Sequence, residues 1–152
     1  MSDPVFSYDH SVQVNAAPEK VYEVVSDLSR TGEWSPMNTG GQWLDAGGGN
    51  VGDWFDGHNK MGPMEWTAKV EITEAERGKE FGFWTMGKAA NVVHWRYSIE
   101  PAAGGAKVTE HYRLYTPPDA IANSPGGVAG WCEAVKGNIQ QSLEGIKAAA
   151  EK

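Results

Sequence analysis

Cysteine is almost missing from this chain: Cys132 stands alone among 152 residues. No intrachain disulfide can form, and nothing in the composition points to an oxidising compartment. Basic residues are scarce as well, 13 Lys and Arg against 20 Asp and Glu, for a formal net charge of −7. That balance argues against a surface that tracks nucleic acid or an anionic bilayer. No apolar run approaches the roughly 18–20 residues that span a bilayer, so no stable membrane insertion is expected. The opening Met-Ser-Asp-Pro has no basic-then-apolar leader, and the chain reads as cytoplasmic. Internal repeats and linkers are also lacking. Residues 1–152 therefore read as one domain, large enough for a single core.

Three chemistries fail for want of context. Gly47-x-Gly49-x-x-Gly52 has the spacing of a dinucleotide fingerprint, but that site needs a helix N-terminus immediately afterwards to hold the pyrophosphate. Trp54-Phe55-Asp56-Gly57 follows instead and reads as a strand, which makes the glycines a hairpin turn. His10, His58, His94 and His111 are scattered rather than set at ligand spacing, so neither a protein-held metal nor any other cofactor is expected. His94 and His111 fall off the apolar registers of their strands and should face solvent. No Gly-x-Ser-x-Gly elbow is present, and Cys132 sits in a helix stripe with no base beside it in sequence, as a buried structural thiol would.

What is abundant is tryptophan, 7 residues, and glycine, 19 residues. Most of the glycine sits in turns, and so many large aromatics suit either a thick core or an aromatic-lined pocket. From Gly126 to Lys152 apolar residues recur at Val128, Trp131/Cys132, Val135, Ile139, Leu143 and Ile146, the three-and-four spacing of an amphipathic helix. Upstream, residues 5–14 alternate as a half-buried strand with Phe6, Tyr8, His10, Val12 and Val14 on one face. Asn15-Ala16-Ala17-Pro18-Glu19 opens a helix, with proline at a first-turn position. Ser29 to Pro36 reads as a short second helical turn anchored by Trp34. Strands follow at Gln42–Asp45, Gly52–Met61, Glu65–Glu76, Lys79–Met86, Asn91–Glu100 and Lys107–Thr116, separated by turn signals at Ala46–Asn50 and Pro101–Gly105. One strand, two short helices, about six antiparallel strands and a long helix give an α+β fold with the helices on one side of a curved sheet. Space left between helix and sheet is where a ligand site is expected.

Asn15-Ala16-Ala17-Pro18-Glu19-Lys20-Val21-Tyr22, Ser26-Asp27-Leu28 and Glu33-Trp34-Ser35-Pro36 resemble the opening of the START/Bet v 1-like (SRPBCC) superfamily, in particular its actinobacterial polyketide cyclase/dehydrase-type branch. Gly52-x-x-Phe55-x-Gly57-x-Asn59, Trp66-Thr67, Trp95-Arg96-Tyr97-x-Ile99-Glu100-Pro101 and Gly105-Ala106-Lys107-Val108-Thr109-Glu110 extend the resemblance over nearly the whole chain, with Ala106 where threonine is usual. The resemblance implies a helix-grip fold: seven antiparallel strands gripping the C-terminal helix over an apolar cavity. Members include lipid carriers, hormone receptors and aromatase/cyclases, so fold alone does not settle function.

Strand parity puts three polar residues in apolar registers: His10 beside Phe6 and Val12, Asn59 beside Phe55, and Glu110 beside Val108 and Leu114. If first and last strands pair, as the family fold implies, His10 falls opposite Glu110 or Tyr112. Either a structural hydrogen bond or a polar spot that orients a ligand fits that arrangement. Trp66, Phe81, Phe83, Trp95, Tyr97 and Tyr112 share the inward surface with Trp131, Val135 and Ile139 of the helix, and Trp34, Phe55 and Asn59 join them as ligand-binding candidates. Arg96 and Arg113 fall on outward faces, as a solvated sheet surface does. Three functions follow. One is a module, monomer or homodimer, that binds a hydrophobic, ring-containing small molecule. Another is a cofactor-independent polyketide cyclase/dehydratase using Glu110, His10 or Tyr112 as proton handler. The third is a chaperone-like domain whose pocket takes a hydrophobic peptide or nothing.

Overall fold

The computed structural model describes residues 3–44 and 48–152. Alternating residues make β1 (Phe6–Val14), and α1 (Pro18–Ser26) follows with Pro18 in its first turn and Val21, Tyr22, Val24 and Val25 buried. Asp27 then accepts from the Ser29 backbone N–H and starts a 3₁₀ turn at Leu28–Arg30. This leads into the single-turn α2 (Thr31–Trp34). Six strands come next: β2 (Asn38–Trp43), β3 (Trp54–Met61), β4 (Met64–Glu76), β5 (Glu80–Thr85), β6 (Val93–Ala102) and β7 (Gly105–Leu114). The short α3 (Asp119–Ala122) precedes the 24-residue α4 (Gly127–Ala150).

The sheet order is β1-β7-β6-β5-β4-β3-β2, antiparallel throughout. β2 to β7 is a meander in which each strand pairs with the next. α1 and α2 carry the chain from one edge strand, β1, to the other, β2. The helix stripe read from the sequence is the buried one: Val135, Ile139, Leu143 and Ile146 are wholly inaccessible, each such side chain contributing about 1.5–3 kcal/mol of hydrophobic stabilisation. Tertiary packing therefore holds a helix whose mid-sequence glycines lower its intrinsic propensity.

Most strand boundaries shift by one or two residues from the sequence reading, and two of the shifts have a plain cause. β2 begins at Asn38 rather than Gln42, because Gly40 and Gly41 lie inside the strand and hide its alternation; a register shift at Asn38/Gly40 lets them pair with His58 and Gly57. The β6–β7 turn is only Ala103-Gly104, since Pro101 still pairs with Ala106 and Ala102 with Gly105. The expected strand end at Asp45 and the start of the glycine turn at Ala46 lie outside the described residues. One glycine positions the site: a Cβ on Gly145 of α4 would sit 2.6–2.8 Å from Trp34 atoms. Glycine there lets α2 press against the long helix and sets Trp34 in place.

Candidate functional site: a cavity between helix and sheet

α4 packs chiefly on β1 and β7 at one side of the sheet and on α1 and α2. α1 covers only one end of β5 and β6, helix packing on β3 and β4 is sparse, and the gap is a cavity of about 890 Å³. Phe55, Asn59, Trp66, Phe83, Trp95 and Tyr97 line it from the sheet, Trp34 from α2, and Trp131 and Ile139 from α4. Glu110 and Tyr112 of β7 also lie in its wall.

Three expected residues are elsewhere. Phe81 is 1% exposed and packs edge-on against Tyr22 of α1, with ring centres 5.9 Å apart, so it belongs to the core beneath the first helix. Val135 points into the core between α4 and the sheet and does not reach the cavity. β1 pairs with β7, as the family fold implies, and of the two expected partners the register sets Glu110 opposite His10. Its ring, however, is exposed and stacks on Tyr8 at 6.3 Å. β1 is an edge strand, and its inward positions run past the flank of α4, where Gln140 donates to the Tyr8 hydroxyl. Parity names the face of a strand but not which part of that face a helix covers.

The wall also uses residues that sequence reading passed over: Met37, Met64, Pro118, Ile121, Asn138 and Ser142. Ser142 carried a signal, lying three residues beyond Ile139 on the same helical face. The segment from Pro118 to Ile121 carried none, because α3 has a single turn and no periodicity to detect.

The floor of the cavity holds a small polar group. Tyr97 donates to Oε2 of Glu110 at 3.1 Å, and the Trp131 indole donates to the Tyr112 hydroxyl at 3.0 Å. Glu110 is 2% exposed, and its Oε1 has no partner; neither has Nε1 of Trp34. Burial pushes the Glu110 carboxyl up to about 8, opposed by the Tyr97 hydrogen bond. A charged carboxylate here would lie in a low-dielectric wall with no cation beside it. Burial, reinforced by Glu110, holds Tyr97 well above the usual phenol range, and burial raises Tyr112 too. Glu110 is thus mainly a neutral acid at neutral pH, among phenols that keep their protons.

The polyketide cyclase/dehydrase and lipid transport family matches residues 5–151. The chain belongs to that family. No curated protein matches the chain. Among solved structures it is similar to the polyketide-cyclase-like protein Cgl2372 of Corynebacterium glutamicum, at 29% identity over 95% of this chain and 86% of that one, with a TM-score of 0.56. Ara h 8.0201 shares the fold at 16% identity and TM-score 0.69, over 95% of this chain and 97% of that one. So does the di-domain ARO/CYC StfQ of the steffimycin biosynthetic pathway, at 14% identity and TM-score 0.75, over 98% of this chain and 51% of that one. The helix-grip architecture read from the sequence is the fold of this family member.

The opposite face of this polyketide cyclase/dehydrase family domain carries a second polar cluster. His111 joins Oδ1 of Asp9 through Nδ1 at 2.7 Å and the Ser98 hydroxyl through Nε2 at 2.8 Å, and Arg113 holds both oxygens of Asp9 at 2.9 and 3.1 Å. His94 meets Glu74 at 2.6 Å and stacks on Trp84 at 4.7 Å. Both imidazoles are half-buried rather than solvated, because acids and an indole on neighbouring strands close over them. Ser98, His111 and Asp9 have the connectivity of a nucleophile–base–acid relay. Ser98 and His111 stand on interior strands whose N–H groups are spent in ladders on both sides, so among the described residues no oxyanion donors stand ready beside the serine. We read the cluster as a polar tie across three strands. Among the described residues no group of His, Cys, Asp and Glu converges as metal ligands do, and no helix is long and apolar enough to cross a membrane.

Proposed function

We propose that this protein binds an apolar, ring-containing small molecule in the cavity between its sheet and α4. The observation that carries the reading is the cavity itself: about 890 Å³, walled by seven tryptophan, phenylalanine and tyrosine side chains of the sheet together with Trp34 and Trp131. That size lies within the usual range of ligand pockets, about 300–1,000 Å³, and a mostly apolar wall with few polar groups is their usual chemistry. The family's description, which pairs polyketide cyclases with lipid transport, supports an occupant of this kind. The test is a thermal-shift screen of neutral polycyclic compounds against wild type and Ile139→Trp, which fills the cavity from the helix side. Binding by wild type and loss in the variant are expected. A wild-type protein that no such compound stabilises would remove the proposal.

A second reading is favoured by one further observation, a buried Glu110 in the cavity wall beside Tyr97 and Tyr112, its carboxyl pushed up to about 8 by burial. An acid that titrates near neutrality is suited to moving protons, and the family's description as polyketide cyclase/dehydrase supports such chemistry on a polyketide. In this reading Glu110 gives a proton to a ketone or departing hydroxyl oxygen and takes one back from carbon. The cavity supplies shape and exclusion of water. His10, exposed on the edge strand, takes no part. Glu110→Gln should lower turnover of an aromatic polyketide by about 10²–10⁴-fold while leaving its binding intact. Equal turnover in the two proteins would leave binding alone.

A further inference from the structure

The occupant that suits the cavity follows from the polar atoms its wall leaves without partners. Trp34 Nε1 and Glu110 Oε1 are buried and unpartnered among the described residues, and both side chains line the cavity. An indole N–H can only donate. Tyr97 donates to Oε2 of Glu110, so the proton of the neutral acid lies on Oε1, making it a second donor without an acceptor. Tyr112 accepts from Trp131 through its hydroxyl oxygen, and no acceptor among the described residues takes the hydroxyl hydrogen. These groups are neighbours. The Trp34 ring meets Tyr97 edge-on at 6.0 Å, Tyr97 bonds Glu110, and Glu110 and Tyr112 are successive inward positions of β7.

Charge narrows the occupant further. Among the described residues the one cation in the cavity wall is Lys69, whose side chain is 67% exposed and lies 3.5 Å from Asp56. All four arginines form ion pairs with acids, none of them in the cavity wall. An anion brought to the floor would lose its hydration, meet no counter-charge and face Glu110. A neutral carbonyl or ether oxygen there would instead accept from groups that otherwise go unpaired, each of which is destabilising when left so.

We infer that the cavity selects an uncharged ring compound that presents oxygen acceptors to the Trp34 indole and the Glu110 carboxyl, and that it rejects a carboxylate of the same shape. The inference rests on the binding reading above. Three phenanthrenes with one ring position substituted by ethyl, acetyl or carboxylate separate the two. Titration calorimetry on the acid side of neutrality should find acetylphenanthrene bound about tenfold more tightly than ethylphenanthrene, the effect of one neutral hydrogen bond. The carboxylate should bind at least about tenfold more weakly than the ketone. Trp34→Phe and Glu110→Leu, which keep apolar walls, should each lower the ketone-over-ethyl preference, while Glu110→Gln, which keeps a donor, should retain it. Equal binding of all three compounds, or tightest binding of the carboxylate, overturns the inference and leaves the binding reading standing. Binding of none of them by a folded protein removes both.

Discussion

Strand β7 carries polar groups on both faces, and the two sets are arranged differently. On the outer face His111 and Arg113 surround Asp9, with Ser98 completing the row, and each ionised group has an oppositely charged or hydrogen-bonding neighbour. On the inner face, one residue away in sequence, Glu110 has a single partner and one bare oxygen, and Trp34 across Tyr97 has a bare N–H. The outer set reads as complete structure, because nothing in it waits for a ligand. The inner set is incomplete, and an unpartnered buried group is destabilising unless something fills the gap. The two faces should therefore respond in opposite ways to truncation and to pH.

The largest effect should come from removing the wall of the inner face. Trp131→Ala deletes a side chain 8% exposed, the indole that donates to Tyr112 and the ring beside Trp66 at 6.2 Å. The loss should be about 3–5 kcal/mol, read as a lower urea midpoint. A variant that loses less than about 1 kcal/mol would mean that the helix does not depend on this contact.

Next comes the pH dependence of Glu110. Its folded pKa, about 8, lies above the ordinary 4.5, so the folded chain binds more protons than the unfolded chain between those values. Stability from this group is fully present below 4.5 and is lost as pH rises through about 8. Each unit corresponds to about 1.4 kcal/mol, so the loss over the window is on the order of a few kcal/mol. Glu110→Gln should abolish that alkaline decline and exceed wild type in stability above pH 8. Parallel pH profiles for the two proteins would refute the assignment. Tyr97→Phe should act more mildly, costing about 1–3 kcal/mol by leaving a second oxygen of Glu110 bare. It also removes the one influence that lowers the Glu110 pKa, so the alkaline decline should run on to higher pH before it levels off, as a titration of stability by denaturant midpoint would show.

Much of this comparison was legible in the sequence, and what was not has a physical reason. The period of Val135, Ile139, Leu143 and Ile146 located α4. Alternation along Val108, Glu110, Tyr112 and Leu114 put an acid among inward apolar residues. The pairing of β1 with β7 followed from the resemblance, which left His10 opposite Glu110 or Tyr112, and the register sets it against Glu110. Alternation carries no information about where a helix ends across a sheet, which is why His10 is exposed and Phe81 is in the core, and the helix period likewise does not say which part of the stripe, such as Val135, faces solid core. The outer cluster was invisible for a different reason. Asp9 and His111 are 102 residues apart, and only the closing pair of strands brings them together. Glycine removed the signal at β2, since Gly40 and Gly41 have no side chain to alternate.

The smallest effect belongs to the outer cluster, and it should appear at the opposite end of the pH scale. Partial burial pushes the Asp9 carboxyl up, but the hydrogen bonds from Arg113 and His111 together outweigh it and hold the group below its ordinary 3.8. The ionised carboxylate can only accept, so Nδ1 of His111 carries a proton and Nε2 accepts from Ser98. Burial, aided by Arg96 and Arg113, lowers the His111 pKa below 6.5 despite Asp9. Both shifts are downward, so both groups support folding at higher pH and lose that support as pH falls, His111 from 6.5 downward and Asp9 below 3.8. Asp9 is 47% exposed, and solvent-screened pairs of this kind contribute about 0–1 kcal/mol. Asp9→Asn should therefore cost no more than about 1 kcal/mol at neutral pH and flatten the acid limb of the stability profile. The alkaline limb, set by Glu110 on the other face, should be untouched. If Asp9→Asn moved the alkaline limb as well, the two faces of β7 would be coupled through the strand rather than independent.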